Sequence, residues 1–115
     1  MPFKTGNLIL DLSFQFSLEI IQFAEILLER RRYPIADQLV KSGTSIGANA
    51  WESQNAESKK DFVHKMKIAA KEADETHYWL LICKYSENYP DPGKLIADVE
   101  SLKRILGKII VSSKK

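Results

Sequence analysis

Residues Ser42–Ser53 read SGTSIGANAWES, a run in which small and apolar side chains keep helical spacing although the residue types themselves disfavour a helix. Stepped at helical intervals, Ile35, Leu39, Gly43, Ile46 and Ala50 fall on one face, with Ser42, Ser45 and Asn49 on the adjoining one. Gly43, Gly47 and the three serines each lower helix propensity by up to ~1 kcal/mol relative to alanine, so an isolated helix here would be marginal. Close packing against neighbours has to offset that loss. The run therefore reads as the close-packing edge of a helix in a bundle.

Outward from this run, glycine and proline stand at boundaries and divide the chain into four helical segments with short connections. Helix 1 is expected over about 8–31, capped by Asn7 and stopped by Tyr33-Pro34, because a residue before proline avoids the helical region. Helix 2 is expected over about 35–55 and helix 3 over about 59–88, the latter opened by Ser58 and Asp61 in a capping arrangement. Pro90 and Pro92-Gly93 precede helix 4, expected over about 94–112 before a basic tail at 113–115. Nothing alternates like a strand, so the fold class is all-α. Short connections favour an antiparallel, up-down-up-down four-helix bundle.

On helix 3, Phe62, Met66, Ala69, Ala73, Thr76, Leu80 and Cys83 recur in steps of four and three, the seam of a packed helix. Opposite them lie Lys60, His64, Lys67 and Lys71. Helix 1 carries two apolar stripes, Ile9-Leu12-Phe16-Ile20-Phe23-Leu27 and Leu10-Phe14-Ile21-Ala24-Leu28, which call for two partners. The end of helix 3 is apolar nearly all round, through Tyr78, Trp79, Leu80, Leu81, Ile82 and Tyr85. This surplus favours a homo-oligomer.

At 115 residues the chain is expected to form one domain with a core of its own. A lone cysteine, Cys83, cannot make an internal bridge, and no secretory pattern opens the sequence, so a reducing cytoplasm fits best. Charges interrupt every helix, which argues against a membrane span. Net charge is only +2, but it is uneven: Lys59 to Lys71 holds five lysines against Asp61, and Lys103 to Lys115 holds five basic residues and no acid.

The stretches SGTSIGANAWES and SKKDFVHKMKIAAKEADETHYWL, taken together at this spacing, resemble the family of small bacterial four-helix bundle proteins associated with 23S ribosomal RNA intervening sequences. The resemblance covers Leu12 to about Val111. It implies an antiparallel bundle assembling as a homo-oligomeric ring, typically a homopentamer, without catalytic activity. It also implies a relative similar in fold, the strongly basic accessory protein of diversity-generating retroelements, which binds nucleic acid and a reverse transcriptase. The positions carried over, Ser45, Ile46, Ala48, Asn49, Glu72, Asp74, Glu75 and Tyr78, are architectural in the family, and Gly47 joins them as a packing and assembly position.

The chemistry-bearing residues point to no enzyme. His64 and His77 are too far apart in sequence, and too short of further ligands, to outline a metal site. Asp74 and His77 lie one turn apart and could hydrogen-bond, yet no nucleophile completes a catalytic set. Cys83 falls on the core seam. The acids of helix 3 have structural outlets: Asp74 and Glu75 lie three and four residues after Lys71 and can pair with it, and Glu72 or Glu75 can reach Ser45 or Asn49 of helix 2 or a neighbouring subunit's amides. No catalytic group, cofactor or metal is therefore expected. Lys60, Lys67, Lys71, Lys103, Arg104 and Lys108 are the candidate phosphate contacts, since a ring would repeat a modest basic patch and raise its avidity for RNA or DNA. The competing expectation is a protein-interaction module whose partner is a reverse transcriptase.

Overall fold

Four helices account for the regular structure of residues 3–114, which the computed structural model describes: α1 (Leu8–Glu29), α2 (Tyr33–Ser53), α3 (Lys59–Tyr85) and α4 (Leu95–Ser113). No strand forms among the described residues. Lys115, the last residue of the expected basic tail, lies outside them.

Local chemistry sets the helix ends. The Asn7 side chain accepts from the Leu10 amide at 3.4 Å, and Asp11 in the first turn draws in the Thr5 amide at 2.7 Å and the Thr5 hydroxyl at 2.8 Å. α1 stops at Glu29, two residues before the expected Arg31. There the Arg31 amide donates back to the Leu28 carbonyl and the Arg32 amide to Leu27, while Arg31 takes a left-handed φ of 61°. That pair of reversed bonds closes a helix around a residue usually glycine. Arg32 then lays its guanidinium over the Tyr89 ring, 4.6 Å from the centroid, tying the first connection to the third.

α2 starts at Tyr33, with Pro34 in its first turn where the missing amide costs nothing, and ends at Ser53 rather than near 55. The Ser58 oxygen accepts from the Asp61 amide at 3.0 Å and opens α3. α3 ends at Tyr85 rather than near 88, and Asn88 follows in the left-handed region at φ 64°.

Each helix packs on two others, α1 on α2 and α4, and α3 on α2 and α4. The first stripe of α1 is buried except for Leu12, whereas the second leaves Ile21 and Leu28 exposed. From the α3 seam, Met66, Ala69, Ala73, Thr76, Leu80 and Cys83 are all buried. α1 and α4 share the thinnest interface. It is bridged by Lys94, whose ammonium holds both Glu19 of α1 and, at 3.0 Å, Asp98 of α4.

Candidate functional site

The small-residue run of α2 is pressed between α1 and α3. A methyl group added at Gly43 would lie 2.8 Å from Cγ2 of the fully buried Ile20, and one at Gly47 would lie 3.3 Å from the Ser13 hydroxyl and 3.4 Å from the Ser13 carbonyl oxygen. These two glycines let α1 come close enough to use their bare backbone. On the other flank, Thr76 reaches the Ser42 hydroxyl at 2.9 Å, a buried bond between α2 and α3. Ser45 donates to the Lys41 carbonyl and Asn49 to the Ser45 carbonyl, so both side chains turn back onto α2 and leave Glu72 and Glu75 to other partners.

The acids of α3 disperse. Glu75 accepts from the Trp79 indole at 3.1 Å, while Glu72 is half-buried and held above the ordinary glutamate value by burial and by the neighbouring Glu75 charge. Asp74 pairs with Lys103 of α4 at 3.0 Å, and the same ammonium lies 3.2 Å from Nδ1 of His77. Asp74 and His77 are thus joined through Lys103, and Lys71 is not the partner of either acid expected for it. A group of three or more histidine, cysteine or acidic side chains able to hold a metal is absent among the described residues. Cys83 is buried on the seam, and burial pushes its thiol up to about 11.

Basic side chains line two surface grooves. Lys60, His64, Lys67 and Lys71 are exposed along α3, and Lys59, Lys60, His64 and Lys67 line a groove of about 460 Å³ with Ser113 at the end of α4 and Lys114 just beyond it. Further along the surface of α4, Arg104, Gly107, Lys108, Val111 and Ser112 line a second, more open groove. Lys103 stands apart from both, half-buried against Asp74 and His77. The structure thus brings Lys60 and Lys67 together with Lys59 and Lys114, and Arg104 with Lys108. Lys59 and Lys114 were missed because periodicity on one helix cannot say which turns of another helix it will face.

Gly107 is a helix-interior glycine that the spacing argument did not single out. It interrupts the interior of α4, where glycine costs about 0.5–1 kcal/mol relative to alanine, and a methyl group there would meet nothing within 4 Å. Its signal in the sequence is a glycine inside an apolar helical pattern with no turn residue beside it.

A family model described as 23S rRNA-intervening sequence protein matches residues 7–108. No curated protein matches the chain. Among solved structures, it is similar to a protein of unknown function from the S23 ribosomal protein family of Bacteroides thetaiotaomicron VPI-5482, a crystal structure at 1.70 Å resolution. The two are 33% identical with a TM-score of 0.84 over 89% of this chain and 97% of that one. Among the described residues no helix is long and apolar enough to cross a membrane.

Proposed function

The chain belongs to the 23S rRNA-intervening sequence protein family, and from that premise we propose that it is a non-enzymatic, cytoplasmic scaffold that binds RNA through repeated basic patches. Its unit is an antiparallel, up-down-up-down bundle, and five units assemble as a homo-oligomeric ring. Support for the antiparallel arrangement comes from paired contacts. Ser42 meets Thr76 and Glu52 meets Lys65, so numbers rise along α2 as they fall along α3. Ile20 against Gly43 and Ser13 against Gly47 run in the same opposed sense between α1 and α2. Support for assembly comes from Leu12, Leu18, Ile21, Ile26 and Leu28 of α1 and Tyr78 and Tyr85 of α3, all exposed.

The observation that carries RNA as the ligand is the row Lys60, Lys67 and Lys71. All three are exposed, and none forms an ion pair among the described residues. Phosphate contacts of this kind give steep salt dependence and little sequence preference. Replacing Lys60, Lys67 and Lys71 together by glutamate should weaken RNA binding and flatten its salt dependence, as read by a titration at several ionic strengths. Unchanged affinity would reject the assignment. A wild-type titration that stays negative at low salt, with a reverse transcriptase or other protein recovered by pull-down, would make the scaffold a protein-recruiting module instead.

A further inference from the structure

We propose that residues 3–6 form a latch, a short strap hinged at Gly6 and fastened by Asp11 that keeps the Phe3 ring over one end of the groove between α1 and α2. The groove follows the small-residue run of α2. Leu10, Phe14 and Ser17 of α1 and Thr44, Ala48 and Trp51 of α2 are among its lining, and it encloses about 250 Å³. Phe3 reaches it from the segment ahead of α1. Its ring centroid lies 4.8 Å from that of Phe14 and 6.2 Å from that of Trp51, so one side chain of the strap bridges both helices at the groove's end. The turn that brings it there is at Gly6, whose left-handed φ of 87° suits glycine.

The fastening is narrow. Among the described residues the strap's hydrogen bonds to α1 converge on one carboxylate: Asp11 accepts from the Thr5 amide at 2.7 Å, the Thr5 hydroxyl at 2.8 Å and the Gly6 amide at 3.3 Å. The Thr5 amide and hydroxyl pull the Asp11 carboxyl below its ordinary value, with the Gly6 amide and the Lys4 charge adding in the same direction. These bonds serve the strap and not the helix end, because Asn7 already caps α1 through the Leu10 amide. Little apolar burial resists opening, since Phe3 and Trp51 remain 43% and 46% exposed with the strap in place. Loss of the Asp11 bonds therefore frees the strap to swing about Gly6 and uncovers Phe14 and Trp51. Until then the groove's end is occupied by the chain's own phenylalanine.

The test uses Trp51 as the reporter, in the full chain carrying Trp79→Phe so that one tryptophan remains. Asp11→Ala and Phe3→Ala should each shift its emission to the red and raise its acrylamide quenching constant by up to about twofold, because Trp51 is 46% exposed under the closed strap. Helicity in the far ultraviolet should not change. Thr5→Ala, which removes the hydroxyl bond but keeps the carboxylate, should move the same signal less far. If Asp11→Ala lowers the melting temperature while the Trp51 signal stays put, Asp11 only steadies the start of α1 and the latch is overturned. If Phe3→Ala alters the particle mass in light scattering, Phe3 belongs to a contact between copies and the latch is likewise overturned. Neither result bears on the RNA binding proposed above.

Discussion

Thr76 of α3 and Ser42 of α2 share a hydroxyl–hydroxyl hydrogen bond of 2.9 Å in the interior, where the two residues are 0% and 1% exposed. Thr76 has one proton and two acceptors in reach, the Ser42 oxygen and, at 2.8 Å, the Glu72 carbonyl, while Ser42 donates its own proton to the Gln38 carbonyl at 2.9 Å. Neither residue is left unsatisfied by losing the other. Ser42→Ala and Thr76→Val should therefore each cost only about 0.5–1.5 kcal/mol in urea unfolding. The double variant should depart from additivity by at least ~0.5 kcal/mol, and strict additivity would mean the bond joins nothing.

The glycines of α2 should behave in the opposite way to Gly107. Gly43→Ala gains helix propensity yet drives a methyl group against Ile20, and an overpacked core of this kind loses about 1–3 kcal/mol. Ile20→Ala in the same chain should remove much of the penalty, so the two substitutions should be less than additive. Gly47→Ala should be milder, its nearest neighbour being the Ser13 hydroxyl at 3.3 Å. A large residue at Gly47 meets the Ser13 backbone, and should damage folding or assembly before it changes any RNA affinity.

Acid titration should separate two glutamates. Burial and the Glu75 charge raise Glu72 above 4.5, so the folded state holds that proton more tightly than the unfolded chain. Glu72 then weakens the fold progressively as pH climbs from 4.5 through its raised value, and Glu72→Gln should stabilise the protein near neutrality. Glu19 has the reverse sign. Burial acts to raise it, but hydrogen bonds from Lys94 and from Gln15, the latter at 2.8 Å, prevail and lower it below 4.5. Its contribution is present above 4.5 and is lost as pH falls through the lowered value, so Glu19→Gln should destabilise at neutral pH. Urea midpoints from about pH 3 to 8 decide both signs.

Cys83 should be inert in the folded protein. With its thiol pushed up to about 11 and its side chain buried, little thiolate exists near neutral pH to attack a reagent. Thiol titration should register nothing until denaturant is added, then one equivalent per chain. Rapid labelling of the native protein would show that α3 opens locally.

Much of the fold was legible because burial repeats along a helix with a fixed period. The α3 seam and the first α1 stripe could be read from spacing alone, except that Phe62 at the start of the seam is only half-buried and Leu12 is 39% exposed because it rims the cleft against α4. Helix ends were less legible. Arg31 adopts a left-handed conformation that its residue type does not announce, so α1 stops earlier than the proline suggested. Cross-helix partners were hidden altogether. The acid at position 74 finds Lys103 rather than Lys71, and Lys114 comes to lie beside Lys59, because the register between helices decides both.

The thin α1–α4 seam has a kinetic consequence. The other three helix pairs are neighbours along the chain and can zip up from their connections, whereas α1 and α4 meet only after a long loop closes, with 75 residues separating Glu19 from Lys94. That seam is expected to form after the rate-limiting barrier. Lys94→Ala should then quicken unfolding while scarcely changing the folding rate, making Lys94 a determinant of how long the native protein lasts more than of how fast it is reached.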